Sequence, residues 1–358
     1  MLQYHSPFIY TFVLALAVTP LVRRFALRKG FVDVPAPRKI HSQNIARIGG
    51  LAIFIPVILI IVGYLIFAPF KLAFIAEKTL GIDKNLLGVL LGGLVIVAAG
   101  LYDDIKGLNP FWKLILQFAA AALVAIFGVK IWWLSNPFGN VIVLGGWSAA
   151  FVILWIVLIT NVVNWLDGLD GLATGVSFIA AATLFVLSLQ TFVNQPSTAM
   201  LSVILAGACL GFLPYNFHPA KIFLGDSGAM FLGFMLAVLA IISGGKIATA
   251  ALVLGIPIFD AIWVVLRRII NKKAPWLADR EHLHHRFLKA GLSQRQAVLL
   301  LYALSMGFAI AALFSQTKGK FWAAISLVAI MIILAVILIF LEKVKQRGRS
   351  NEPAGKIS

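Results

Sequence analysis

Five carboxylates stand out in this sequence because each falls at the end of an apolar segment. The chain has only 13 Asp and Glu among 358 residues. Acidic side chains are costly within membrane-spanning segments and are usually retained there for function. A single one could simply cap a helix, but a group on one side of a membrane favours a functional site. The five are Asp103, Asp104, Asp167, Asp170 and Asp226.

The first pair is Asp103 and Asp104, directly before a break at Asn109 and Pro110. Adjacent carboxylates repel each other, which raises one pKa or calls for a cation between them. The pair therefore suits metal binding or proton transfer to a phosphate, and a solvated turn is the alternative. Lys113 follows on the same side, where its ammonium could meet a phosphate or snorkel to the membrane surface.

A second group has polar residues at every third position, so that they share one face while the chain stays helical. Its members are Asn161, Asn164, Asp167 and Asp170. Carboxylate and amide oxygens are the hard ligands that Mg²⁺ prefers, and Gly168 permits close approach of the backbone to a ligand. A structural polar seam between helices is the alternative.

Asp226 lies between Gly225 and Gly228 at the predicted start of a helix. Such a turn resembles an anion-binding site that contains a metal ligand, although Asp is also an ordinary N-cap residue. Phe223, just before it, offers either a stacking face or a buried aromatic ring.

A fourth group combines histidines with arginines in a predicted loop: His282, His284, His285 and Arg286. Histidine spacing of this kind can hold a transition metal, but no thiolate accompanies it. The neighbouring arginines favour phosphate or sugar recognition. The first predicted loop adds further cations, among them Lys39 and Arg47.

The elements that position these residues are membrane helices. Hydrophobic residues make up 61% of the chain and charged residues 12%, against about 25% charged in soluble domains. Apolar runs predict an all-α polytopic integral membrane protein with about eleven spans. They cover residues 6–22, 49–70, 86–102, 112–128, 148–165, 170–190, 198–215, 224–243, 247–266, 298–315 and 321–341. The sequence of residues 131–147 predicts a short external β-hairpin.

The basic residues predict the orientation. Of the 30 Lys and Arg, 23 fall on the side of the C-terminus, so the positive-inside rule puts the C-terminus in the cytoplasm and the N-terminus outside. This placement explains the net charge of +17 without nucleic acid as a partner. We expect residues 1–342 to form a single transmembrane domain, catalytic if the carboxylates are a functional site, with cytoplasmic loops at about 23–48, 103–112, 161–171, 216–228 and 267–297. Residues 343–358 form a basic tail that could attract anionic membrane lipids.

Read in order, these four groups resemble the polyprenyl-phosphate N-acetylhexosamine-1-phosphate transferases over nearly the whole chain. The resemblance implies a UDP-sugar donor, an undecaprenyl phosphate acceptor, release of UMP and a homodimer. It also implies a bacterial cytoplasmic membrane location with the active site on the cytoplasmic face. By the same resemblance, Asp226 and Asn164 are ligands of Mg²⁺, for which Mn²⁺ could substitute. Asp103, supported by Asp104, accepts a proton from the lipid phosphate or orients it.

The remaining roles implied by the resemblance concern substrate binding. Lys113 contacts phosphate, and Phe223 stacks on uracil beside Gly168 and Asp170. The histidine loop meets the sugar and pyrophosphate of the donor. The residues assigned to substrate binding are Lys39, Arg47, Lys113, Asp167, Gly168, Asp170, Phe223, His282, His284, His285 and Arg286.

The histidine loop indicates the branch of the family that this sequence resembles, and the branch predicts which sugar is transferred. The branch that transfers phospho-MurNAc-pentapeptide carries three consecutive histidines, whereas here the third position is Arg286. The sequence therefore predicts transfer of GlcNAc-1-phosphate, initiating a surface polymer such as O-antigen, common antigen or teichoic acid. Another UDP-N-acetylhexosamine or UDP-MurNAc-pentapeptide is the alternative donor, and an aspartyl-phosphate intermediate is the alternative to a single displacement.

Two other classes remain open from the residues. Intramembrane carboxylates also serve cation- or proton-coupled secondary transporters, whose sites lie near the midplane of the membrane. A non-catalytic lipid-binding scaffold is the third class. No GxxxxGK[ST] loop is present, which argues against phosphorylation by ATP.

Overall fold

The computed structural model describes residues 2–34, 44–74, 77–190, 193–243, 246–270 and 283–350, without the side chains of residues 2, 284, 285 and 341–350. Within these ranges the chain forms thirteen α-helices. They are α1 Leu2–Lys29, α2 Gly50–Phe67, α3 Lys84–Lys106, α4 Pro110–Ile126, α5 Ser148–Leu166, α6 Leu172–Leu189, α7 Pro196–Asn216, α8 Gly225–Ile242, α9 Ile247–Val253, α10 Gly255–Ile270, α11 Leu283–Ala290, α12 Gln294–Phe314 and α13 Thr317–Ser350.

Three short antiparallel strand pairs lie between some of these helices. They pair β1 Val32–Asp33 with β2 Ile45–Ala46, β3 Lys78–Thr79 with β4 Ile82–Asp83, and β5 Trp133–Leu134 with β6 Ile142–Val143. The last pair confirms the hairpin predicted within residues 131–147.

The helices confirm an all-α polytopic membrane protein. In the described part of the chain, nine helices are long and apolar enough to cross a membrane, and the bent pair α9 and α10 makes up to ten. The fourth predicted span, 112–128, corresponds to α4, a shorter apolar helix of 17 residues. The side of the membrane on which each terminus lies stays a prediction.

The ninth predicted span, 247–266, is broken rather than straight. α9 and α10 meet at Leu254 with a bend of 77°. Gly255 and Pro257 account for the break, because glycine adds backbone freedom and proline cannot donate the next helical hydrogen bond.

Local capping explains where several helices begin. The side chain of Asn109 accepts a hydrogen bond from the backbone N–H of Phe111, at 2.9 Å, and Pro110 occupies the first position of α4. The side chain of Asp83 accepts from Leu86 N–H at the start of α3, and Ser293 with Gln296 forms a capping box at the start of α12.

α8 is the centre of the bundle, since every residue from Ser227 to Ile241 is buried. Its first turn packs against α2 and α3 at glycines. A Cβ atom on Gly100 would lie 2.4 Å from the Cα of Ser227, and one on Gly50 would lie 2.2 Å from the backbone nitrogen of Gly228. These contacts bring the start of α8 beside the last turn of α3.

The ends of the helices define two poles of the bundle. The end of α3, the start of α4, the end of α5 and the start of α8 meet at one pole, here called the site pole. The start of α12 belongs to it, since Arg295 Nε donates to the carbonyl of His218 at 3.1 Å. The β5–β6 hairpin, the ends of α6 and α8 and the connection from α12 to α13 lie at the opposite pole.

Replacing Gly100 with alanine tests the close packing of α3 on α8. Overpacking costs about 1 to 3 kcal/mol, so Gly100→Ala is expected to lower the melting temperature of the purified protein in detergent. Gly63→Ala in α2 is the matched control, because a Cβ there meets no atom within 4 Å, and it is expected to leave stability unchanged or raise it. Equal melting temperatures for the two variants would contradict the packing argument.

Candidate active site

Six side chains from five segments form a polar cluster at the site pole. It consists of Arg47, Asp103, Asp104, Lys113, Asn164 and Asp226, all predicted from the sequence as site residues. The cluster thus contains three carboxylates, two cations and one neutral amide. Its positive and negative formal charges nearly cancel.

Asp104 anchors the start of α8. Its carboxylate is fully buried and accepts hydrogen bonds from the backbone N–H of Asp226 at 2.8 Å and that of Ser227 at 3.0 Å. The hydroxyl of Ser227 donates a third, at 2.6 Å. A helix N-terminus has unpaired N–H donors and a partial positive charge, so a carboxylate is well placed there. Asp104 therefore positions α8, and in this arrangement its oxygens already have partners.

Asp226 is the meeting point of the cluster. Its Oδ1 accepts from Lys113 Nζ and from Asn164 Nδ2, each at 2.6 Å, and its Oδ2 lies 3.3 Å from Arg47 Nη2. Its side chain is 18% exposed. Because Asp226 is in the first turn of α8, the hydrogen bonds of Asp104 also fix where it points.

Asp103 faces the other side of Lys113. The lysine Nζ lies 2.9 Å from Asp103 Oδ2, so that one ammonium bridges Asp103 and Asp226. The backbone N–H of Leu108 donates to Asp103 Oδ1 at 2.7 Å, which holds the carboxylate at the end of α3. Lys113, whose side chain is 17% exposed, is thus held between two acids rather than snorkelling.

Arg47 reaches the cluster from the segment that precedes α2. Its guanidinium lies 3.4 Å from Asp104 and 3.3 Å from Asp226, and its side chain is 40% exposed. The same segment pairs with the chain before α8, where Phe223 N–H donates to the carbonyl of Ala46 and the Phe223 carbonyl accepts from Gly49 N–H. Phe223 therefore lies beside the cluster, partly exposed.

Asp167 and Asp170 follow the end of α5. Removal from water, and then the charges of Asp226, Asp104 and Asp170, raise the pKa of Asp167 well above its ordinary value. Asp170 Oδ2 lies 2.7 Å from His218 Nδ1 and accepts from Ala220 N–H at 3.1 Å. Asp167 thus lies near the cluster, while Asp170 ties the start of α6 to the segment after α7.

The shared face predicted for residues 161 to 170 divides between two roles. Asn164 joins the cluster, but Asn161 exchanges hydrogen bonds with Gln117 of α4, at 2.5 and 3.3 Å. That part of the face is a polar seam between α4 and α5, as the structural alternative predicted.

The fourth predicted group is described only in part. His282 lies outside the described residues, as do the side chains of His284 and His285. Lys39, from the first predicted loop, also lies outside them. α11 carries Arg286, which lines a small cavity with Asp260 and Trp263 of α10. Leu283 N–H donates to Asp260 Oδ1 at 2.8 Å, which fixes α11 against α10. Whether this group binds phosphate, sugar or metal stays a prediction.

The cluster fits a metal ion that is shared with a substrate. In the ranges that the structure describes, no three side chains of His, Cys, Asp or Glu are grouped to hold a metal. Mg²⁺ in phosphate chemistry usually takes only one or two carboxylates and fills its shell with phosphate oxygens and water. Asp226 and Asn164 offer one carboxylate and one amide, and the amide would present its oxygen after a flip.

Sequence reasoning missed three partners of the predicted residues: Gln117, His218 and Ser227. Ser227 follows Asp226 directly, so its place in the first turn of a predicted helix was a usable signal. Gln117 and His218 pair with residues 44 and 48 positions away. No local pattern in the sequence marks such pairs.

Asp104→Ala tests the anchoring of α8. The variant leaves the Ser227 hydroxyl and two backbone N–H groups without their acceptor and removes a partner of Arg47, which should cost about 3 to 5 kcal/mol. We expect a markedly lower melting temperature in detergent. Glu77→Gln, at an exposed ion pair with Lys84, should change it little. A stable Asp104→Ala protein would show that α8 does not depend on this carboxylate.

Comparison with known proteins finds relatives along most of the chain. Residues 86–244 match the family described as "Glycosyl transferase family 4". A Bacillus subtilis (strain 168) protein named "Probable undecaprenyl-phosphate N-acetylglucosaminyl 1-phosphate transferase" is 35% identical over 92% of this chain and 90% of its own length.

Two further relatives come from neighbouring branches. The "Decaprenyl-phosphate N-acetylglucosaminephosphotransferase" of Mycolicibacterium smegmatis is 36% identical over 79% of this chain and 75% of its own length. The "Phospho-N-acetylmuramoyl-pentapeptide-transferase" of Pelotomaculum thermopropionicum is 36% identical, but over only 50% of this chain and 54% of its own. Since the first two matches extend over most of both sequences, the chain belongs to the polyprenyl-phosphate N-acetylhexosamine-1-phosphate transferase family.

Proposed function

We propose that this chain transfers GlcNAc-1-phosphate from UDP-GlcNAc to undecaprenyl phosphate, giving undecaprenyl-pyrophosphoryl-GlcNAc and UMP. The observation that carries the proposal is the convergence of Asp103, Lys113 and Asp226 at the site pole. The relatives matched along most of the chain are named for transfer of N-acetylglucosamine phosphate to polyprenyl phosphates. The match to the muramoyl-pentapeptide branch covers about half of the chain, which supports GlcNAc over the larger donor.

The cluster lies where a phosphate carried by a lipid can approach from the membrane. Large apolar side chains on both sides of the α3–α4 connection are exposed, namely Tyr102, Ile105, Phe111 and Trp112. Asp103 directly follows Tyr102 in the chain, and Lys113 directly follows Trp112. A polyprenyl chain could therefore rest on apolar surface while its phosphate meets the cluster.

We propose a single displacement. An oxygen of the lipid phosphate attacks the phosphorus that carries the sugar, and the bond from that phosphorus to the bridging oxygen of UMP breaks as UMP leaves with the electron pair. Lys113 orients the lipid phosphate, and Asp103 takes its proton if it arrives as the monoanion. Arg47 and Lys113 offset the negative charge that gathers on the transferred group. Recovery of a phosphorylated Asp103 or Asp104 from a quenched reaction would contradict this route.

We propose Mg²⁺ as the cofactor, held by Asp226 and Asn164. When bound, the ion would neutralise charge on the pyrophosphate of the donor. Asp104 and Ser227 keep Asp226 in place, and Lys113 and Arg47 balance the acids around it. On the family pattern, Phe223, Gly168 and Asp170 would bind the uracil.

The depth of the cluster argues against a secondary transporter. Asp103 lies in the last turn of α3, and Asp226 lies in the first turn of α8. Transport sites lie near the midplane instead. We propose a bacterial cytoplasmic membrane location, as the family resemblance implies, with the cluster on the cytoplasmic face, as the positive-inside rule predicts.

Release of UMP by the purified enzyme tests donor, acceptor and metal together. With UDP-GlcNAc we expect release only when undecaprenyl phosphate and Mg²⁺ are both present. Chelation should abolish it, and added Mg²⁺ should restore it. Turnover of UDP-MurNAc-pentapeptide without turnover of UDP-GlcNAc would contradict the proposed sugar. Release of UMP that persists in the presence of a chelator would contradict the proposed requirement for Mg²⁺.

Asp226→Asn tests the centre of the cluster. The change keeps the shape of the side chain but removes the charge that Lys113, Arg47 and a cation share, so we expect transfer to fall by at least about a hundredfold. Circular dichroism should show a folded helical protein. Glu77→Gln removes one acidic charge at an exposed site and should keep full activity. Normal turnover by Asp226→Asn would exclude this residue from the reaction.

A further inference from the structure

A large cavity lies at the opposite pole, away from the polar cluster. Its volume is about 700 Å³. The walls come from the β5–β6 hairpin, the end of α6, the bent pair α9 and α10, and the connection between α12 and α13. α6 starts next to Asp170 and ends at this cavity, so its 18 residues separate the cavity from the cluster by roughly 27 Å.

The cavity is polar at one end and apolar at the other. Lys246, Thr249, Gln190, Gln316 and Lys320 line the polar end. The apolar wall follows successive turns of two helices, at Ile258 and Ile262 on α10 and at Ala324 and Val328 on α13. From Lys320 to Val328 this wall extends roughly 12 Å inward.

The apolar wall opens toward the membrane. Ile262 is 51% exposed and Val328 is 44% exposed, although both belong to apolar helices that can lie in hydrocarbon. A molecule in the cavity could therefore keep part of an acyl chain among the surrounding lipids.

Both charged residues in the described lining of the cavity are basic. Among the residues that the structure describes, no Asp or Glu lines the cavity, while Lys246 and Lys320 both do. The two meet at Thr249, whose backbone N–H donates to the carbonyl of Lys246 at 3.1 Å. Lys320 Nζ donates to Thr249 Oγ1 at 2.7 Å, which holds it at the polar end. Removal from water lowers the pKa of Lys246, and a bound anion would relieve that cost.

We propose that this cavity is a binding site for an anionic phospholipid of the leaflet at the opposite pole, with the headgroup phosphate at Lys246 and Lys320. A phosphate complements the two ammonium groups, and the apolar wall accepts the upper part of an acyl chain. An anionic headgroup suits the lining better than a zwitterionic one, whose own cation would face two lysines. The substrate lipid is a poorer occupant, because its phosphate must reach the polar cluster at the other pole.

The site is independent of the proposed transfer reaction, since neither lysine belongs to the polar cluster. It would anchor α13 and the bent pair α9 and α10 through a molecule of the bilayer. Both lysines lie at helix starts, where a headgroup at the membrane surface can reach them.

Native mass spectrometry of the delipidated full-length protein tests the site, with phosphatidylglycerol, phosphatidylcholine and undecaprenyl phosphate as separate probes. We expect the protein to bind phosphatidylglycerol about tenfold more tightly than phosphatidylcholine. Lys246→Gln combined with Lys320→Gln should remove this preference. Lys78→Gln combined with Lys318→Gln is the matched control, because both lysines are exposed and neither lines the cavity; it should keep the preference.

Ala324→Trp provides a second test that leaves the charge unchanged. The indole would fill the apolar part of the cavity and should weaken phosphatidylglycerol binding about tenfold. This variant tests the proposal even if the double lysine variant fails to fold. Unchanged binding in the folded lysine variant, or in Ala324→Trp, would overturn the proposal. Equal binding of the two phospholipids by the unmodified protein would overturn it as well. If undecaprenyl phosphate binds more tightly and displaces phosphatidylglycerol, the occupant is the prenyl lipid instead.

Discussion

The buried carboxylate of Asp104 is the constraint on which the rest of the site depends. It accepts three hydrogen bonds from the first turn of α8 and pairs with Arg47. A buried charge is costly unless every lone pair is used, and here the helix N-terminus supplies the donors. The direction of Asp226, and with it the positions of Lys113 and Asn164, follows from this contact.

Close backbone packing makes that contact possible. Helices in a membrane gain little from hydrophobic association, so small residues at their interfaces bring backbones together. Gly100 and Gly50 do this on two sides of the first turn of α8. Larger side chains at these positions would separate α3 from α8 and move Asp104 away from its donors. The chemistry at the site pole thus rests on residues that have no functional group.

The polar cluster and the lysine-lined cavity lie at opposite poles of the bundle and differ in charge. The site pole holds acids balanced by Lys113 and Arg47, an arrangement suited to positioning phosphates and a divalent cation. The cavity at the opposite pole has two lysines and no acid in its described lining, an arrangement suited to an anion from the bilayer. In the apolar region between them, helices such as α8 pack with few polar contacts. This division is consistent with an enzyme that works at one membrane surface and is anchored at the other.

The sequence by itself determined most of the helices and the identity of all six cluster residues. Spans follow from apolar length, because the bilayer imposes it, and the acids stood out because they are rare in such a chain. The tertiary structure alone decided their roles: Asp104 caps α8, Asn161 pairs with Gln117 instead of joining the cluster, and Asp170 pairs with His218. It also decided the break at Leu254 and the cavity beside it. These features join residues far apart in the chain, and such pairings depend on how helices pack, which local periodicity does not encode.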